Sequence, residues 1–593
     1  MDKKNTIIGL ALLCLGFGLM LKSGQEKEEQ QRQDTPAGTY QPNVAPSGNS
    51  TTASAPVSIS APPQLNEQGQ ATVEANDNKE DEKIVSLDNS LIEARFTNYG
   101  GDLKEIVLKN FRLDEVSDAP YVMNRQRYAP ALSITKLAGA DKDTIYQFVK
   151  YQGDPNTIGF KAQISDSLEI ERRYTIFQNG ENEKPYSIRH EIAFHNTGDQ
   201  PIATGELGLN VGTVAPSGKQ DRFLLTFGHS DGEDVDFIES SKFLGGGFMG
   251  MFSKEPRAFI AETGNVEWAS VKNQFFITIL TPDAPGSGFV ARPVDFPVSI
   301  QNADLPHTGI TGELNIPSIV VPANGTTTIG FNYYAGPKEF SRLEKMGKKQ
   351  DEAMQFGFFG IISKFLLTLM NWLYGIVGNY GLSIILLTLI VRTVLLPINM
   401  LSSKSMKRMS KLSGPMKQLK EAYPDNQQQQ QKMMMELYKL NKVNPVAGCV
   451  PMIAQIPIFF ALFYMLRSAA ELRFEDFIWI TDLSKPDTVG HVAGLPLNLL
   501  PFAWVISMAI QMWTMPTPSV DNAQAKMMKF MPFIFFPFTY TFASGLVLYW
   551  TVSNVFTIGQ QYLINKGAAD FEVILPPALK KALDKPQKAK RKK

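Results

Sequence analysis

The sequence predicts a polytopic α-helical membrane protein with six spans, five of them forming a helical core, and a large all-β domain outside the membrane. Three observations predict this architecture. An apolar stretch opens the chain, short β-branched and aromatic runs alternate with turn signals over residues 83–335, and long apolar stretches recur after about residue 356. A helical span needs roughly 20 apolar residues, and the later stretches are close to that length.

The first stretch, residues 1–22, is interpreted as an uncleaved signal-anchor transmembrane helix. Its apolar part follows Asp2, Lys3 and Lys4, and no small-x-small cleavage site follows Leu21. A cleaved signal peptide is the alternative. Residues 23–82 are rich in Gln, Glu, Ser, Thr and Pro. Because such a segment cannot bury enough apolar surface to offset the entropy of ordering, it is predicted to be a disordered linker.

Residues 83–335 are predicted to form one large β-sandwich domain. Runs such as KIVSLD, SLEIERRYTIF and TTIGFNYYAGP are separated by turn signals, which include Gly100-Gly101 and Asn196-Thr197-Gly198-Asp199. Gly and Asn readily adopt the left-handed backbone conformation that tight hairpins need. Many short strands with turns at regular intervals are typical of a two-sheet sandwich.

Residues 336–375 change to helical spacing. Lys364 and Asn371 interrupt the apolar face, so we expect an amphipathic helix that lies at the membrane interface. Residues 376–566 are predicted to form the five-span core. The spans fall at about 379–400, 447–466, 495–514, 526–543 and 545–564, and a tight turn at Ala543-Ser544-Gly545 separates the last two.

The charges of the loops predict the orientation of these spans. Residues 401–442 contain nine Lys or Arg against three acidic residues, and the tail, residues 567–593, is densely basic. Both are expected on the cytoplasmic side by the positive-inside rule. Six spans then place the N- and C-termini in the cytoplasm and the β-domain across the membrane. The tail is either a binding site for ribosomal RNA or anionic lipid, or a charge run that only enforces topology.

Arg392 lies well inside the apolar run LSIILLTLIVRTVLLPINM of residues 382–400. Ser402, the first clearly polar cytoplasmic position, follows ten residues later, which is about 15 Å along a helix. A charge at that depth costs about 2.5–3.5 kcal/mol on insertion scales, so it usually faces a water-filled cavity. Thr388 and Asn399 are predicted to share the helical face of Arg392, although Pro397 could end the helix early.

Other spans supply further polar side chains. The last span carries a polar stripe at helical spacing, Gln455 lies in the 447–466 span, and no acidic residue occurs in the five C-terminal spans. A hydrated groove is one interpretation, and interhelical hydrogen bonds that only join the helices are the other. A transporter that uses Arg392 as counter-ion for an anionic solute is a further alternative, although the five spans show no duplicated half. The stripe consists of Trp550, Ser553, Asn554, Thr557, Gln560 and Gln561.

The loop at residues 401–442 is predicted to be a cytoplasmic hairpin of two helices, broken at Tyr423-Pro424-Asp425-Asn426. It is basic and rich in methionine, whose flexible thioether packs against varied apolar partners. These methionines are therefore candidates for substrate contact, or else they only hold the hairpin together. They are Met406, Met409, Met416, Met433, Met434 and Met435.

The sequence gives no signal for catalysis, a cofactor or a metal. It has five His and two Cys, and it contains no CxxC, HExxH or GxxxxGK[ST] motif. We therefore expect a protein that is not an enzyme and needs no cofactor.

Several segments resemble the YidC/Oxa membrane protein insertase family. The resemblance covers nearly the whole chain, and its β-domain and order of segments are similar to the Gram-negative YidC type. It rests on VGNYGLSIILLTLIVR (377–392), LYKLNKVNPVAGCVPMIAQIPIFFALFYML (437–466), SAAELR (468–473) and KFMPFIFFPFTYTFASGLVLYWTVSN (529–554).

The resemblance implies an insertase and chaperone of nascent membrane proteins in the bacterial inner membrane, acting alone or with the Sec translocon and its accessory proteins. The ribosome and the phospholipid bilayer are its other implied partners. It implies a hydrophilic groove at Arg392 and Thr388, to which Gln455, Trp550, Ser553 and Asn554 add polar or aromatic groups. An apolar slide for the substrate helix is implied at Ile456, Pro457, Phe459, Phe538 and Phe542.

The β-domain resembles the super-sandwich of galactose mutarotases. Sugar chemistry of that kind needs a histidine and a carboxylate that converge in a cleft. Residues 83–335 contain His190, His195, His229 and His307, but no recognisable catalytic motif surrounds them. Docking of Sec accessory proteins or periplasmic factors is the favoured role of this domain.

Overall fold

The structure is a computed structural model in which one compact unit, Ile59–Lys593, contains every described residue. The predicted signal-anchor, residues 1–22, lies outside the described residues, as does nearly all of the predicted linker. The described residues are 71–72, 81–114, 117–178, 184–218, 221, 224–243, 256–296, 307–424, 426–444, 450–492, 495–514, 532–566 and 572–583.

The β-domain is built from twenty-one described strands. They are β1 (Ala71–Thr72), β2 (Ile84–Asp88), β3 (Ile92–Thr97), β4 (Leu103–Arg112), β5 (Pro120–Met123), β6 (Ile134–Thr135), β7 (Gln147–Lys150), β8 (Thr157–Gln163), β9 (Leu168–Ile176), β10 (Ser187–Asn196), β11 (Ile202–Ala203), β12 (Leu207–Val214), β13 (Thr226–Ser230), β14 (Val235–Glu239), β15 (Ile260–Val266), β16 (Trp268–Lys272), β17 (Phe276–Pro282), β18 (Gly286–Asp295), β19 (Thr308–Ile316), β20 (Val320–Val321) and β21 (Thr326–Pro337).

Two large sheets face each other in this domain. One has nine strands in the order β14-β13-β16-β17-β21-β10-β9-β8-β7, and the other has the order β1-β18-β19-β12-β6 with β15 beside β18. Thr278 Oγ1 and Tyr333 Oη of the first sheet donate hydrogen bonds to Val211 O of the second, at 3.0 and 2.9 Å. Strands β2 to β5 form a separate four-stranded sheet.

The predicted turn at Gly100-Gly101 is confirmed between β3 and β4, where both glycines have φ near +65°. Its two carbonyl oxygens accept hydrogen bonds from Arg172 Nη1 (2.6 Å) and Tyr174 Oη (2.8 Å) on β9. Arg172 also pairs with the fully buried Asp102. The turn is therefore fixed to the core as well as to its own hairpin. In the predicted linker, by contrast, Ala71–Thr72 forms strand β1 and pairs in parallel with β18.

The helical part begins with α1 (Phe340–Met346) and α2 (Gly360–Val377), which lie within the region predicted to be amphipathic. Apolar side chains form an exposed stripe on α2 and just before it, at Phe358, Ile361, Phe365, Trp372 and Ile376. On the opposite side Leu366, Leu367 and Met370 are buried. Both faces of α2 are thus largely apolar, and Gly357–Val377 is long and apolar enough to cross a membrane.

The segment predicted as one span at 379–400 is not one helix. Helix α3 (Tyr380–Val394) starts where the Asn379 side chain accepts a hydrogen bond from Leu382 N. One residue, Leu395, separates it from α4 (Leu396–Lys411), and the two helices are bent by 60°. Pro397 lies in the first turn of α4, a position where proline fits without loss of a helical hydrogen bond.

The remaining described helices are α5 (Ser413–Ala422), α6 (Gln427–Leu440), α7 (Val450–Ser468), α8 (Leu499–Thr514), α9 (residues 532–539), α10 (Ser544–Lys566) and α11 (Pro577–Leu583). The hairpin break at Tyr423–Asn426 is confirmed, but a second break at Leu412 makes three helices of the predicted two. Among the described residues, Gly357–Val377 and Val450–Ser468 are long and apolar enough to span, and the bent pair α3–α4 is a third.

The loop between α7 and α8 joins the helices to the β-domain. It contains a hairpin of β22 (Thr488–Val492) and β23 (Leu495–Asn498), so residues 495–498 are strand where the sequence predicted the start of a span. Arg473 Nη2 donates to Leu113 O at 3.0 Å, and Gln274 Nε2 of the β-domain donates to Arg467 O at 2.9 Å. These contacts fix the loop to the sandwich.

Candidate functional site

Arg392 lies in the last turn of α3 and is half-buried beside α10. Its Nε donates a hydrogen bond to Ser553 Oγ of α10. No carboxylate among the described residues forms an ion pair with it. The guanidinium keeps further donors that this single hydroxyl does not satisfy.

Two other hydrogen bonds extend this contact to four helices. Gln455 Nε2 of α7 donates to Tyr549 Oη of α10 at 3.0 Å, and Tyr549 lies one helical turn before Ser553. Asn554 Nδ2, also on α10, donates to Ser507 Oγ of α8 at 3.1 Å. Polar groups of α3, α7, α8 and α10 therefore meet within an otherwise apolar helical assembly. We call Arg392, Gln455, Ser507, Tyr549, Ser553 and Asn554 the polar cluster.

The polar cluster leaves out two residues of the predicted groove, Thr388 and Trp550, and it does not include Asn399. Thr388 is fully buried, and its Oγ1 donates to Ile384 O of its own helix at 2.6 Å. Asn399 belongs to α4, beyond the 60° bend, so the expectation that it shares one helical face with Arg392 and Thr388 is wrong. The physical reason is the break at Leu395, which the sequence raised only as a possible effect of Pro397.

Trp550 is surrounded by aromatic rings. It stacks on Phe459 of α7, with ring centroids 5.5 Å apart and planes 3° apart, and it contacts Phe542 at 5.7 Å and Trp504 at 6.1 Å. Its Nε1 is buried and has no hydrogen-bond partner among the described residues. Trp550 thus forms an apolar wall directly beside the polar cluster.

The predicted slide residues divide into two groups. Phe459 and Phe542 both contact Trp550, and Ile456 and Pro457 lie half-buried on α7, three and two residues before Phe459. Phe538 is 63% exposed on α9, and its ring contact is with Phe535. The structure therefore brings Phe459 and Phe542 together and leaves Phe538 on the outer surface of α9.

The hairpin methionines also divide. Met416 and Met433 are buried within the hairpin, and Met409 and Met434 pack at the edge of its apolar core. Met406 is half-buried, whereas Met435 is 56% exposed. At least two of the six thus help to hold the hairpin together.

Sequence reasoning missed Tyr549 as a member of the polar cluster. Tyr549 precedes Ser553 by four residues, so extending the polar stripe by one turn would have included it. A tyrosine in an apolar span resembles an ordinary packing residue, and its hydroxyl gains significance only through Gln455, which is 94 residues away in the sequence.

Comparison with known proteins agrees with this architecture. Two family models match, one described as the YidC periplasmic domain over residues 84–369 and one as the 60Kd inner membrane protein over residues 372–570. A membrane protein insertase YidC from Pelobacter propionicus is 30% identical over 538 residues, covering 88% of this chain and 94% of its own. The chain belongs to the YidC membrane protein insertase family.

Other members of the YidC family support the assignment. The Syntrophus aciditrophicus protein is 31% identical over 517 residues, covering 83% of this chain and 86% of its own. The Vesicomyosocius okutanii protein is 42% identical over 247 residues, covering 42% of this chain and 44% of its own. The chain is accordingly an inner-membrane protein with a periplasmic β-domain.

Solved structures give weaker matches. The crystal structure of an active YidC insertase with its first transmembrane domain resolved covers 82% of this chain and 93% of its own, with 17% identity and a TM-score of 0.33. A putative aldose 1-epimerase from Escherichia coli K12 covers 43% of this chain and 99% of its own, with 10% identity and a TM-score of 0.27. At that score the likeness to mutarotases stays a prediction.

Proposed function

We propose that this chain inserts transmembrane segments of nascent proteins into the inner membrane through a hydrated groove at the polar cluster. The observation that supports this proposal most directly is Arg392, a permanent charge among apolar helices whose one described hydrogen bond is to Ser553. Keeping a charge there costs about 2.5–3.5 kcal/mol unless water or a counter-charge reaches it.

In the groove, Arg392 attracts acidic residues in the translocated tail of a substrate. Polar side chains from four helices replace part of the hydration that such a tail loses. The tail therefore has to lose its hydration over only part of the membrane thickness. This lowers the free-energy barrier to its translocation. No nucleotide-binding motif is present in the sequence, so the energy comes from apolar transfer and from the membrane potential, which supplies about 2.3 kcal/mol per charge per 100 mV.

The hydrophobic segment of the substrate leaves the groove sideways into lipid. Ile456, Pro457 and Phe459 of α7 form one side of its path, and Phe542 forms the other, with Trp550 between Phe459 and Phe542. Phe538 lies further out, at the exposed face of α9, where it meets the segment as it enters lipid. Transfer of apolar surface out of water stabilises the product by about 25 cal/mol per Å².

The proposed topology has six spans, with both termini, the hairpin and the tail in the cytoplasm. Five of the spans form the insertase core, and the first is the signal-anchor. The nine basic residues of 401–442 support this orientation. We place α2 at the outer interface because one face packs on the protein and the exposed apolar face includes Trp372, and tryptophan is enriched at that level of the membrane.

Nascent membrane proteins are the proposed substrates, and the ribosome, the Sec translocon with its accessory proteins and the phospholipid bilayer are the proposed partners. The basic hairpin and tail supply the charge that binds ribosomal RNA. The periplasmic β-domain supplies a surface for Sec accessory proteins.

Complementation of a bacterial strain depleted of its own insertase tests the function. Two substrates are compared, identical except that one has an acidic translocated tail and the other a neutral tail. We expect Arg392→Ala to insert the acidic tail poorly and the neutral tail well, and Arg392→Lys to restore the acidic tail. Arg257→Ala is the matched control, since it removes the same charge from an exposed position of the β-domain.

Two results would contradict the proposal. Normal insertion of both tails by Arg392→Ala means that the charge is dispensable. Failure of the wild-type protein to insert either substrate, although it is stably produced, favours the alternative of a transporter for anionic solutes.

A further inference from the structure

The segment that follows α10 is docked on the hairpin rather than free. Residues 572–583 lie within the tail that was predicted as a basic run, yet Val573, Leu575 and Leu579 all pack against hairpin side chains. We propose that the hairpin groove between α5 and α6 is an exchangeable binding site for a short apolar segment that is extended at its start and helical at its end, and that this C-terminal segment is its resident ligand. The proposal goes beyond the insertion function.

The backbone of the segment is recognised by one buried side chain. Asn441, at the end of α6, is 3% exposed. Its Nδ2 donates to Ile574 O, and its Oδ1 accepts from Ile574 N, both at 2.8 Å. This amide therefore offers the segment the two hydrogen bonds that a neighbouring β-strand would offer. The same Nδ2 also donates to Leu437 O at 2.7 Å, which fixes the amide on α6.

The side chains of the segment fill two adjoining apolar sites. Val573 and Leu575 pack against a cluster formed by Leu412, Met416, Leu437 and Val443. Leu579 is fully buried with Leu419 and Met433 in the second site, where Leu575 also contributes. Lys580 and Lys581 are exposed. The segment thus presents one apolar face to the groove and one basic face to water.

Two properties make this contact exchangeable. Helix α11 has seven residues, too few to be stable in water without its binding site, so the segment is ordered by the groove. Buried methionines, Met416 and Met433, contribute to the two sites, and their flexible thioethers repack around different apolar side chains. The groove therefore suits a class of ligands, which are short segments with apolar residues at similar spacing and an extended backbone where Asn441 binds. Nascent membrane segments belong to that class, and their access to the groove rests on the proposed function.

Disulfide trapping in the full-length protein in membrane vesicles tests the docking. Cys14 and Cys449 are replaced by serine, and Leu419→Cys is combined with Leu579→Cys. The control combines Leu579→Cys with Glu421→Cys, since Glu421 is exposed and lies two residues further along α5, on its opposite side. We expect the first pair to cross-link roughly tenfold faster or more, because a disulfide needs Cα atoms within about 7 Å. Equal rates would overturn the proposal.

The exchange is tested with a synthetic peptide of residues 572–583 added in trans. We expect it to slow cross-linking of the first pair, whereas a peptide with serine at positions 573, 575 and 579 has no effect. If the peptide with the natural sequence leaves the cross-linking rate of Leu419→Cys with Leu579→Cys unchanged, the contact is a fixed structural one. That result would overturn the proposal that the tail exchanges with other ligands.

A ribosome-bound nascent chain with an apolar segment is the final probe. If the nascent chain slows cross-linking between positions 419 and 579, it competes with the tail for the groove. If the nascent chain leaves the cross-linking rate unchanged although the peptide slows it, the groove binds only the protein's own tail. That result would overturn the access of substrate to the groove. Because the peptide experiment does not depend on insertion, failure of this proposal is distinguishable from failure of the proposed function.

Discussion

The side-chain amide of Gln455 donates a hydrogen bond to the hydroxyl of Tyr549, 3.0 Å away on another helix. Tyr549 is fully buried, and Ser553, the partner of Arg392, follows it by one helical turn. The pair therefore links α7 to the helix that holds the arginine. This relationship is the basis of the first prediction.

We expect Tyr549→Phe to weaken the polar cluster without removing any charge. The change deletes the hydroxyl and leaves the amide of Gln455 without that partner, which costs about 0.6 kcal/mol on average for an interhelical hydrogen bond in a membrane. Insertion of a substrate with an acidic tail should fall by roughly threefold. Tyr562→Phe is the control, because Tyr562 lies on the same helix with its side chain exposed. Equal insertion by the two variants would show that Tyr549 contributes only packing.

We expect Arg473 to hold the β-domain against the helical part. Its guanidinium lies 4.7 Å from the ring centroid of Phe474, 5.0 Å from that of Phe276 and 5.2 Å from that of Tyr121. Cation–π contacts of this kind are worth about 2 kcal/mol when desolvated. Arg473→Ala should therefore increase proteolysis or hydrogen exchange around Leu113, whose carbonyl oxygen accepts a hydrogen bond from Arg473.

Arg112→Ala is the matched control for Arg473. Arg112 lies 5.2 Å from the ring centroid of Phe474 but is exposed. Its replacement should therefore change proteolysis and hydrogen exchange around Leu113 little. Equal protection in Arg473→Ala and in the wild-type protein would exclude the anchoring role.

The stability of this junction should depend on pH through Glu471. The pKa of Glu471 is raised from 4.5 to about 7, mainly by burial and also by the nearby Glu339, while Arg342 and a hydrogen bond from Asn371 act in the opposite direction. Its Oε2 is buried and has no hydrogen-bond partner among the described residues. The folded protein thus binds this proton more tightly than the unfolded chain does.

The free energy of unfolding should then fall as the pH rises from about 4.5 to about 7. Glu471 contributes up to about 3 kcal/mol to this fall, which should level off at higher pH. Glu471→Gln should flatten this part of the curve, whereas Glu344→Gln, an exposed change near the end of α1, should not. Unfolding midpoints of the detergent-solubilised protein measured across this range provide the test. If Glu471→Gln does not change the dependence of the unfolding midpoint on pH, other groups cause that dependence.

The sequence predicted the features that depend on local chemistry. The turn at Gly100-Gly101 and the hairpin break at Tyr423–Asn426 follow from backbone preferences of the residues themselves. The polar face of Ser553 and Asn554 follows from helical spacing.

What the sequence did not predict depends on tertiary contacts. The 60° bend at Leu395 places Asn399 on another helix than Arg392. The hydroxyl of Tyr549 and the docking of Leu579 on the hairpin depend on partners more than 90 residues away. Neither periodicity nor composition carries that information.

Charge reversal at Arg392 tests the central claim most directly. If Arg392 acts on the substrate through its charge, the preference of the protein for tail charge should invert when that charge is reversed. Wild type and Arg392→Glu are each paired with substrates that differ only in an acidic or a basic translocated tail, and insertion of the four combinations is measured. We predict that wild type inserts the acidic tail better and that Arg392→Glu inserts the basic tail better. If Arg392→Glu lowers insertion of both tails by the same factor, the charge has no electrostatic role toward substrate and the account is wrong.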